Sequence, residues 1–377
     1  MKIPMVDLTR EYEELKDEIN QSIQMVLNKC NFILGEDVAK FEEEFARFNN
    51  SRYAVSVASG TDALRIAILA NKIGKGDEVI TTPFTFIATT ETISQAGAKV
   101  VFADIEEDTY NIDPISIERK ITKKTKAIIP VHLYGHPADM EKIMNIAKRY
   151  NLIVIEDCAQ AFGAKYKINN NWKFVGTIGN CGTFSFFPAK NLGAYGDGGL
   201  ITTDDDKTAN LIKTLRNHGS SQRYIYEMEG FNSRLDTIQA AILRIKLKNI
   251  ERYIKMRQDV ARKYNEALDG LCITPKVREN CEHSFNYYTV RFETKEIRDS
   301  VSKYLTENGV SNQIYYPISL HLQKAYKHLG YKKGELPITE KMQDRVLSLP
   351  MFPHLKDNEI SYIADKIREA LKIKVVK

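Results

Sequence analysis

Cysteine is scarce: Cys30, Cys158, Cys181, Cys272 and Cys281 are scattered over 377 residues, and no two form a CxxC pair. That pattern excludes a disulfide framework and a thiolate zinc site, so reduced thiols and no metal are expected. Long apolar runs are missing too. Ala127 to Val131 and Leu152 to Ile155 are strand-length, far short of the roughly 20 residues that span a bilayer. Met1 to Arg10 has no apolar core followed by a small-residue cleavage site, so a cytoplasmic protein is expected. Neither proline nor glycine is enriched, which excludes disordered and collagen-like classes. Charge of one sign is lacking as well. The 54 basic and 49 acidic residues are interleaved and leave a net charge of +5, with no basic tract for nucleic acid or lipid.

What remains is a chain of enzyme size, long enough for one large domain and a smaller one. Short β-rich runs alternate with helical stretches. Tyr53 to Val57 precedes a helix from Asp62, and Glu78 to Thr82 precedes one near Ala88 to Ala96. Val100 to Ala103 and Ala127 to Val131 follow, then a helix around Met140 to Tyr150 and the run Leu152 to Glu156. This rhythm predicts an α/β fold, with a mainly parallel sheet between helices and ligand sites at the carboxyl ends of its strands. Thr237 to about Leu268 has helical periodicity and reads as the connector out of the large domain, residues 1–250. Residues 251–377 read as a smaller α+β domain, with runs at Tyr287 to Phe292 and Ser311 to Tyr315 and helices at Arg298 to Asn308 and Asp357 to Leu371.

Three segments carry chemistry. In TFSFFPAKNLGAYGDGG, from Thr183 to Gly199, aromatics and a proline flank Lys190. A crowded, partly dry loop would favour the neutral amine that imine formation requires, although a surface lysine on a Gly-rich hairpin fits the segment equally. In LIVIEDCAQAFGA, an apolar run ends in Glu156 and Asp157. A carboxylate there can hold a pyridinium proton and make the ring an electron sink; capping of a following helix explains it too. In SVASGTDAL, small residues open a helix, where free N–H groups can seat a phosphate or Ser59 or Thr61 can simply cap.

A phosphate seat, a pyridinium partner and an imine lysine in that order, with the segments ATTE, EDCAQA and SFFPAKN, are a specific combination. The chain resembles the nucleotide-sugar aminotransferases of the DegT/DnrJ/StrS family, within fold-type I of the pyridoxal-phosphate enzymes, from IPMVDL at its start to its C-terminal helices. The resemblance implies pyridoxal 5'-phosphate held covalently on Lys190, with pyridoxamine phosphate formed between two half-reactions. It makes Lys190 and Asp157 catalytic and sets Gln160 beside the cofactor's phenolic oxygen. Phe86 would stack on the ring, unless it is a core phenylalanine, and Gly60, Thr61 and Ser185 would hold the phosphate. Asn232, in GFNSRLD, matches a residue that reaches the neighbouring subunit's phosphate, which implies a homodimer with shared sites; a turn residue after Gly230 is the plainer reading. Arg234 and Asp236 read as structural partners in that loop.

IYYPISLHL, Ile314 to Leu322, together with FNSRLD resembles members acting on dTDP-3-keto-6-deoxyhexoses. L-glutamate would be the donor and a dTDP-3-amino-3,6-dideoxyhexose the product. Tyr316 and His321 would then face the sugar, and Arg223 or Lys324 the diphosphate; a loop histidine packed on tyrosines is the alternative for His321. Competing activities are a 4-keto sugar aminotransferase working on GDP-, UDP- or dTDP-linked substrates, and a regulatory homologue without chemistry. A dehydratase of the same fold carries histidine in place of the lysine, and Lys190 speaks against it.

Overall fold

The computed structural model describes residues 1–222 and 224–375, so the expected diphosphate contact Arg223 lies outside the described residues. Helices α1 (Leu8–Lys29) and α2 (Glu36–Asn49) precede a seven-stranded sheet. Its strands are β1 (Tyr53–Val57), β2 (Glu78–Thr81), β3 (Lys99–Phe102), β4 (Thr125–Ile129), β5 (Ile153–Asp157), β8 (Cys181–Ser185) and β9 (Gly199–Thr203). Between β5 and β8 lies the side hairpin β6 (Lys165–Ile168) and β7 (Asn171–Phe174). The order across the sheet is β1-β9-β8-β5-β4-β2-β3, and β9 alone pairs antiparallel with its neighbours. The connecting helices are α3 (Gly60–Ala70), α4 (Ala88–Gln95), α5 (Pro114–Lys120), α6 (Met140–Tyr150) and, after β9, α7 (Asp206–Arg216).

Strand alternation divides the core. Val79, Ala127, Ile129 and Ile155 face the side covered by α3 and α4, whereas Ile80, Ile128 and Val154 face the side carrying Ile117 of α5 and Ile143 of α6. Both faces are dry, as a parallel sheet requires. Several helices start on a side-chain cap: Ser59 for α3, Asp113 for α5, Asp139 for α6 and Asp205 for α7.

Beyond the small ladder β10 (Ser220–Gln222) and β11 (Ile225–Tyr226), α8 (Thr237–Ala267) runs 31 residues and passes unbroken through position 250. Ala240, Leu243 and Leu247 pack with Phe41, Phe45 and Phe186, while Val260, Ala261 and Tyr264 join a second core. That core gathers Ile3, β13 (Tyr288–Arg291), α9 (Lys295–Glu307), β14 (Val346–Leu349) and α11 (Asp357–Val375). The two-residue strand β12 (Cys281–Glu282) pairs antiparallel with β6 and makes the side hairpin a three-stranded sheet, and the short helix α10 (Pro337–Gln343) precedes β14. The expected strand Ser311 to Tyr315 does not form. One bridge, Gln313 to Ser348, continues the β13/β14 edge, and the chain then leaves it to cross over Gln160. Among the described residues no helix is long and apolar enough to cross a membrane.

Candidate active site

Successive strands deliver the singled-out residues to one edge. β1 ends before Ser59, Gly60 and Thr61; β5 ends in Asp157; β8 ends in Ser185, with Lys190 in the connection to β9. Gly60 lies so close to Ser185 that an added Cβ would stand 2.6 Å from the Ser185 Cβ and 3.0 Å from its Oγ. A Cβ at Gly199 would meet the Ser59 carbonyl oxygen at 2.2 Å, so a glycine in β9 is what lets this turn lie on the sheet. Ser59 Oγ accepts from Asp62 N (3.1 Å), leaving the Gly60 and Thr61 N–H groups at the open start of α3. An anion seat is the natural use of such a turn, and the serine hydroxyl beside it fits a phosphate.

The two acidic residues ending β5 point to opposite faces and do different work. Glu156 is fully buried and saturated: Ile178 N and Gly179 N donate to its Oε1 (2.8 and 2.7 Å), and Gly176 N donates to its Oε2 (2.8 Å). His132 accepts from Ala138 N at Nδ1 (3.0 Å), so Nε2 carries its proton and donates to Glu156 Oε2 (3.0 Å). His132, Glu156 and Cys158 converge within 4.8 Å, but the imidazole and carboxylate lone pairs are already committed, as in a structural hydrogen-bond knot rather than a metal centre.

Asp157 is not a helix cap. Residues 158–164 form two turns, with Gly163 in the left-handed region at φ +81°, and no helix follows. Its carboxylate accepts from Ala159 N at Oδ1 (3.1 Å) and from the Thr89 hydroxyl at Oδ2 (2.8 Å). Burial holds its pKa above the usual carboxylate range despite these donors and the nearby Lys190 charge. Lys190 is half-buried rather than a surface lysine. Desolvation brings its ammonium down to about 8, with Asp157 pulling the other way. Its Nζ lies 5.8 Å from the Tyr287 ring centroid.

Gln160 is held at both ends of its amide. Tyr134 N donates to Oε1 (2.8 Å), and Nε2 gives one of its two hydrogens to the Tyr316 hydroxyl (2.9 Å), which brings the segment after α9 onto the site. Phe86 is not a core residue. Its side chain is 58% exposed at the start of α4, beside buried Thr85 and Thr89. Asn232 is exposed and bridges to Asn217; Arg234 donates to Asn217 Oδ1 (3.2 Å), and Asp236 precedes α8.

His321 departs from the sugar-facing expectation. It is 2% exposed, packed edge-on to Phe102 and Tyr331, with Nε2 against Glu340 Oε1 at 3.2 Å. Phe102 of β3 and Tyr331 draw the ring toward the core of the main sheet. Lys324 is exposed at the start of a separate turn of 3-10 helix. Sequence reasoning missed Thr89, Thr85, Tyr134 and Tyr287. For the first two a signal was present: PFTFIATTE places hydroxyls just after a strand's carboxyl end, where the site is built.

The DegT/DnrJ/EryC1/StrS aminotransferase family matches residues 13–368. A pleiotropic regulatory protein of Geobacillus stearothermophilus is 48% identical, with 98% of each chain covered. A UDP-N-acetyl-3-dehydro-alpha-D-glucosamine 3-aminotransferase of Acidithiobacillus ferrooxidans is 45% identical over 98% of each. A dTDP-3-amino-3,6-dideoxy-alpha-D-galactopyranose transaminase of Aneurinibacillus thermoaerophilus is 43% identical, covering 97% of this chain and 98% of its own. Among solved structures, S. venezuelae DesV in complex with a ketimine intermediate superposes with a TM-score of 0.93 at 39% identity, over 98% of each chain.

Proposed function

Because this chain belongs to the DegT/DnrJ/EryC1/StrS aminotransferase family, we propose that it moves an amino group from L-glutamate to carbon 3 of a nucleotide-linked keto sugar, a dTDP-3-keto-6-deoxyhexose. The observation that carries the chemistry is that the sheet's carboxyl edge brings together a buried Asp157, clamped by Thr89 and Ala159, and a half-buried Lys190 in the connection after β8. The relatives named for 3-amino products on UDP and on dTDP carriers support the carbon-3 reading. The resemblance of IYYPISLHL and FNSRLD favours dTDP and a 6-deoxyhexose. A purely regulatory protein, as one relative's name suggests, would have no need to keep this pair.

The residues fit pyridoxal phosphate. Gly60, Thr61 and Ser185 would take its phosphate, Asp157 its ring nitrogen, Phe86 its face, and Gln160, through its second amide hydrogen, its phenolic oxygen. When bound, the cofactor supplies an electron sink for the carbanion at the substrate's α-carbon. Asp157 holds the proton on the ring nitrogen. Lys190 Nζ, in its neutral form, would take the proton from the substrate's α-carbon and deliver it to the cofactor side of the carbon–nitrogen bond, which needs a base poised near the working pH. Tyr316 fixes Gln160 through its hydroxyl.

We read the working unit as a homodimer. Asn232 is exposed, while its neighbour Ser233 is buried, accepts from Ala58 N (3.2 Å) and donates to Asp62 (2.8 Å), so the loop is anchored at its base and presents its amide outward. Exposed Phe32, Ile33 and Leu34 run beside it, Ile33 bridging to Asp236. An apolar stripe of that kind is suited to a second copy.

The test is a panel of dTDP- and UDP-linked 3-keto and 4-keto sugars assayed with L-glutamate, together with borohydride reduction and peptide mapping of the holoenzyme. Amine formation on the dTDP-linked 3-keto sugar and label on Lys190 are expected. Label on another lysine overturns the site, and turnover confined to 4-keto sugars overturns the substrate.

A further inference from the structure

The Asp157 carboxylate ends a chain of buried hydroxyls. Thr89, the second residue of α4, is 1% exposed, and its Oγ1 lies 2.8 Å from Asp157 Oδ2. Thr85 is 2% exposed, and its Oγ1 lies 3.0 Å from Thr89 Oγ1. Direction follows from counting protons. An ionised carboxylate only accepts, so Thr89 must give it its single hydroxyl hydrogen; Thr85 must then donate to Thr89. Both dipoles point the same way, and aligned hydrogen bonds of low solvent access polarise one another. The other oxygen, Oδ1, takes Ala159 N at 3.1 Å, so the carboxylate is clamped from two sides.

We infer that Thr89, backed by Thr85, is a positioning residue that keeps Asp157 ionised and oriented so that the proton of the pair stays on the cofactor's ring nitrogen. This rests on the reading of Asp157 as the ring-nitrogen partner. Burial alone works against ionisation and raises the Asp157 pKa, while Thr89 and Ala159 lower it; the charged or titratable groups also bearing on it are Lys190, His132, the Cys158 thiol and the Tyr316 hydroxyl. With the Thr89 donor gone, the carboxylate becomes more basic. The shared proton then moves toward Asp157, and the ring loses the positive charge that makes it an electron sink. A hydroxyl present only to fill a buried space would leave that proton where it is.

The experiment is nitrogen-15 NMR of holoenzyme reconstituted with pyridoxal phosphate labelled at the ring nitrogen, in wild type, Thr89→Val, Thr89→Ser and Thr85→Val. The expected result is a protonated ring nitrogen in wild type and Thr89→Ser, with a resonance displaced toward the unprotonated position in Thr89→Val. Thr85→Val should shift the same way by less. A kcat loss of about tenfold or more should accompany the Thr89→Val shift, as for one lost hydrogen bond to a charged group. If Thr89→Val does not fold, the Thr85→Val shift decides alone. A wild-type nitrogen already unprotonated overturns the Asp157 reading and this inference with it. A protonated wild type whose resonance is unmoved by either valine leaves Asp157 in place and overturns the relay.

Discussion

Replacing Gly60 with alanine tests the phosphate seat by steric means alone. Gly60 opens α3 without a left-handed backbone, so alanine has no torsional objection, and the cost arises from the added methyl. That methyl would lie 2.6 Å from Ser185 Cβ and 3.1 Å from its Cα. Carbon pairs rest near 3.5 to 4.0 Å, so the turn and β8 must part by about 1 Å. Neither is a free side-chain end, since β8 is paired to β5 and β9. Overpacking of this kind costs about 1–3 kcal/mol, which is about 5- to 150-fold in affinity if it falls on the loaded state. The assay is spectroscopic titration of the apoprotein with pyridoxal phosphate and, separately, with pyridoxal. Gly60→Ala should weaken the first by that factor and leave the second nearly unchanged. Ser185→Ala retains the clashing Cβ and should not relieve the defect. Ser185→Gly removes it, so the Gly60→Ala/Ser185→Gly cycle should show a favourable coupling of about 1 kcal/mol or more. Equal weakening for both ligands, or unchanged pyridoxal phosphate binding, would refute the placement of the phosphate here.

A mixed dimer of Lys190→Ala and Asn232→Ala chains has one site carrying both defects and one carrying neither, so up to about half the activity of a wild-type dimer should return on subunit exchange; no gain after confirmed exchange would rule out shared sites. Glu156→Gln keeps one oxygen for two of the four donors, Ile178 N and Gly179 N, but sets an NH₂ group against the other two, Gly176 N and His132 Nε2. A loss of about 3 kcal/mol is expected from the unmet buried donors, read as a lower denaturation midpoint; an unchanged midpoint would contradict the bonding described. Capture of pyridoxal phosphate by the apoprotein should rise with pH and level off above about 8, because the neutral amine of Lys190 is the nucleophile and burial lowers its pKa. Since Asp157 favours the charged amine, Asp157→Asn should move that midpoint to lower pH; an upward move would reverse the assigned electrostatics.

Much of the architecture was legible in the chain because it is written in contiguous segments. Apolar runs separated by helical stretches announce a parallel sheet, and the period-two pattern of β5 already sends Glu156 and Asp157 to opposite faces. Lys190, Asp157 and the Ser59 to Thr61 turn could be singled out because each stands at a strand end with its own local chemistry. Periodicity names a face, however, not the partner that comes to cover it. That Thr89 serves Asp157 from 68 residues away, that Tyr316 holds Gln160, and that Tyr287 lies by Lys190 follow from how α4 and the C-terminal segments pack. The same holds for His321, which local sequence leaves open between a sugar contact and a ring packed on tyrosines, and which Phe102 and Tyr331 draw inward. Local sequence determined which groups stand at the sheet's edge. Long-range packing decided which of them are desolvated, and with that which carboxylate is saturated by backbone donors and His132 and which is held by only Thr89 and Ala159.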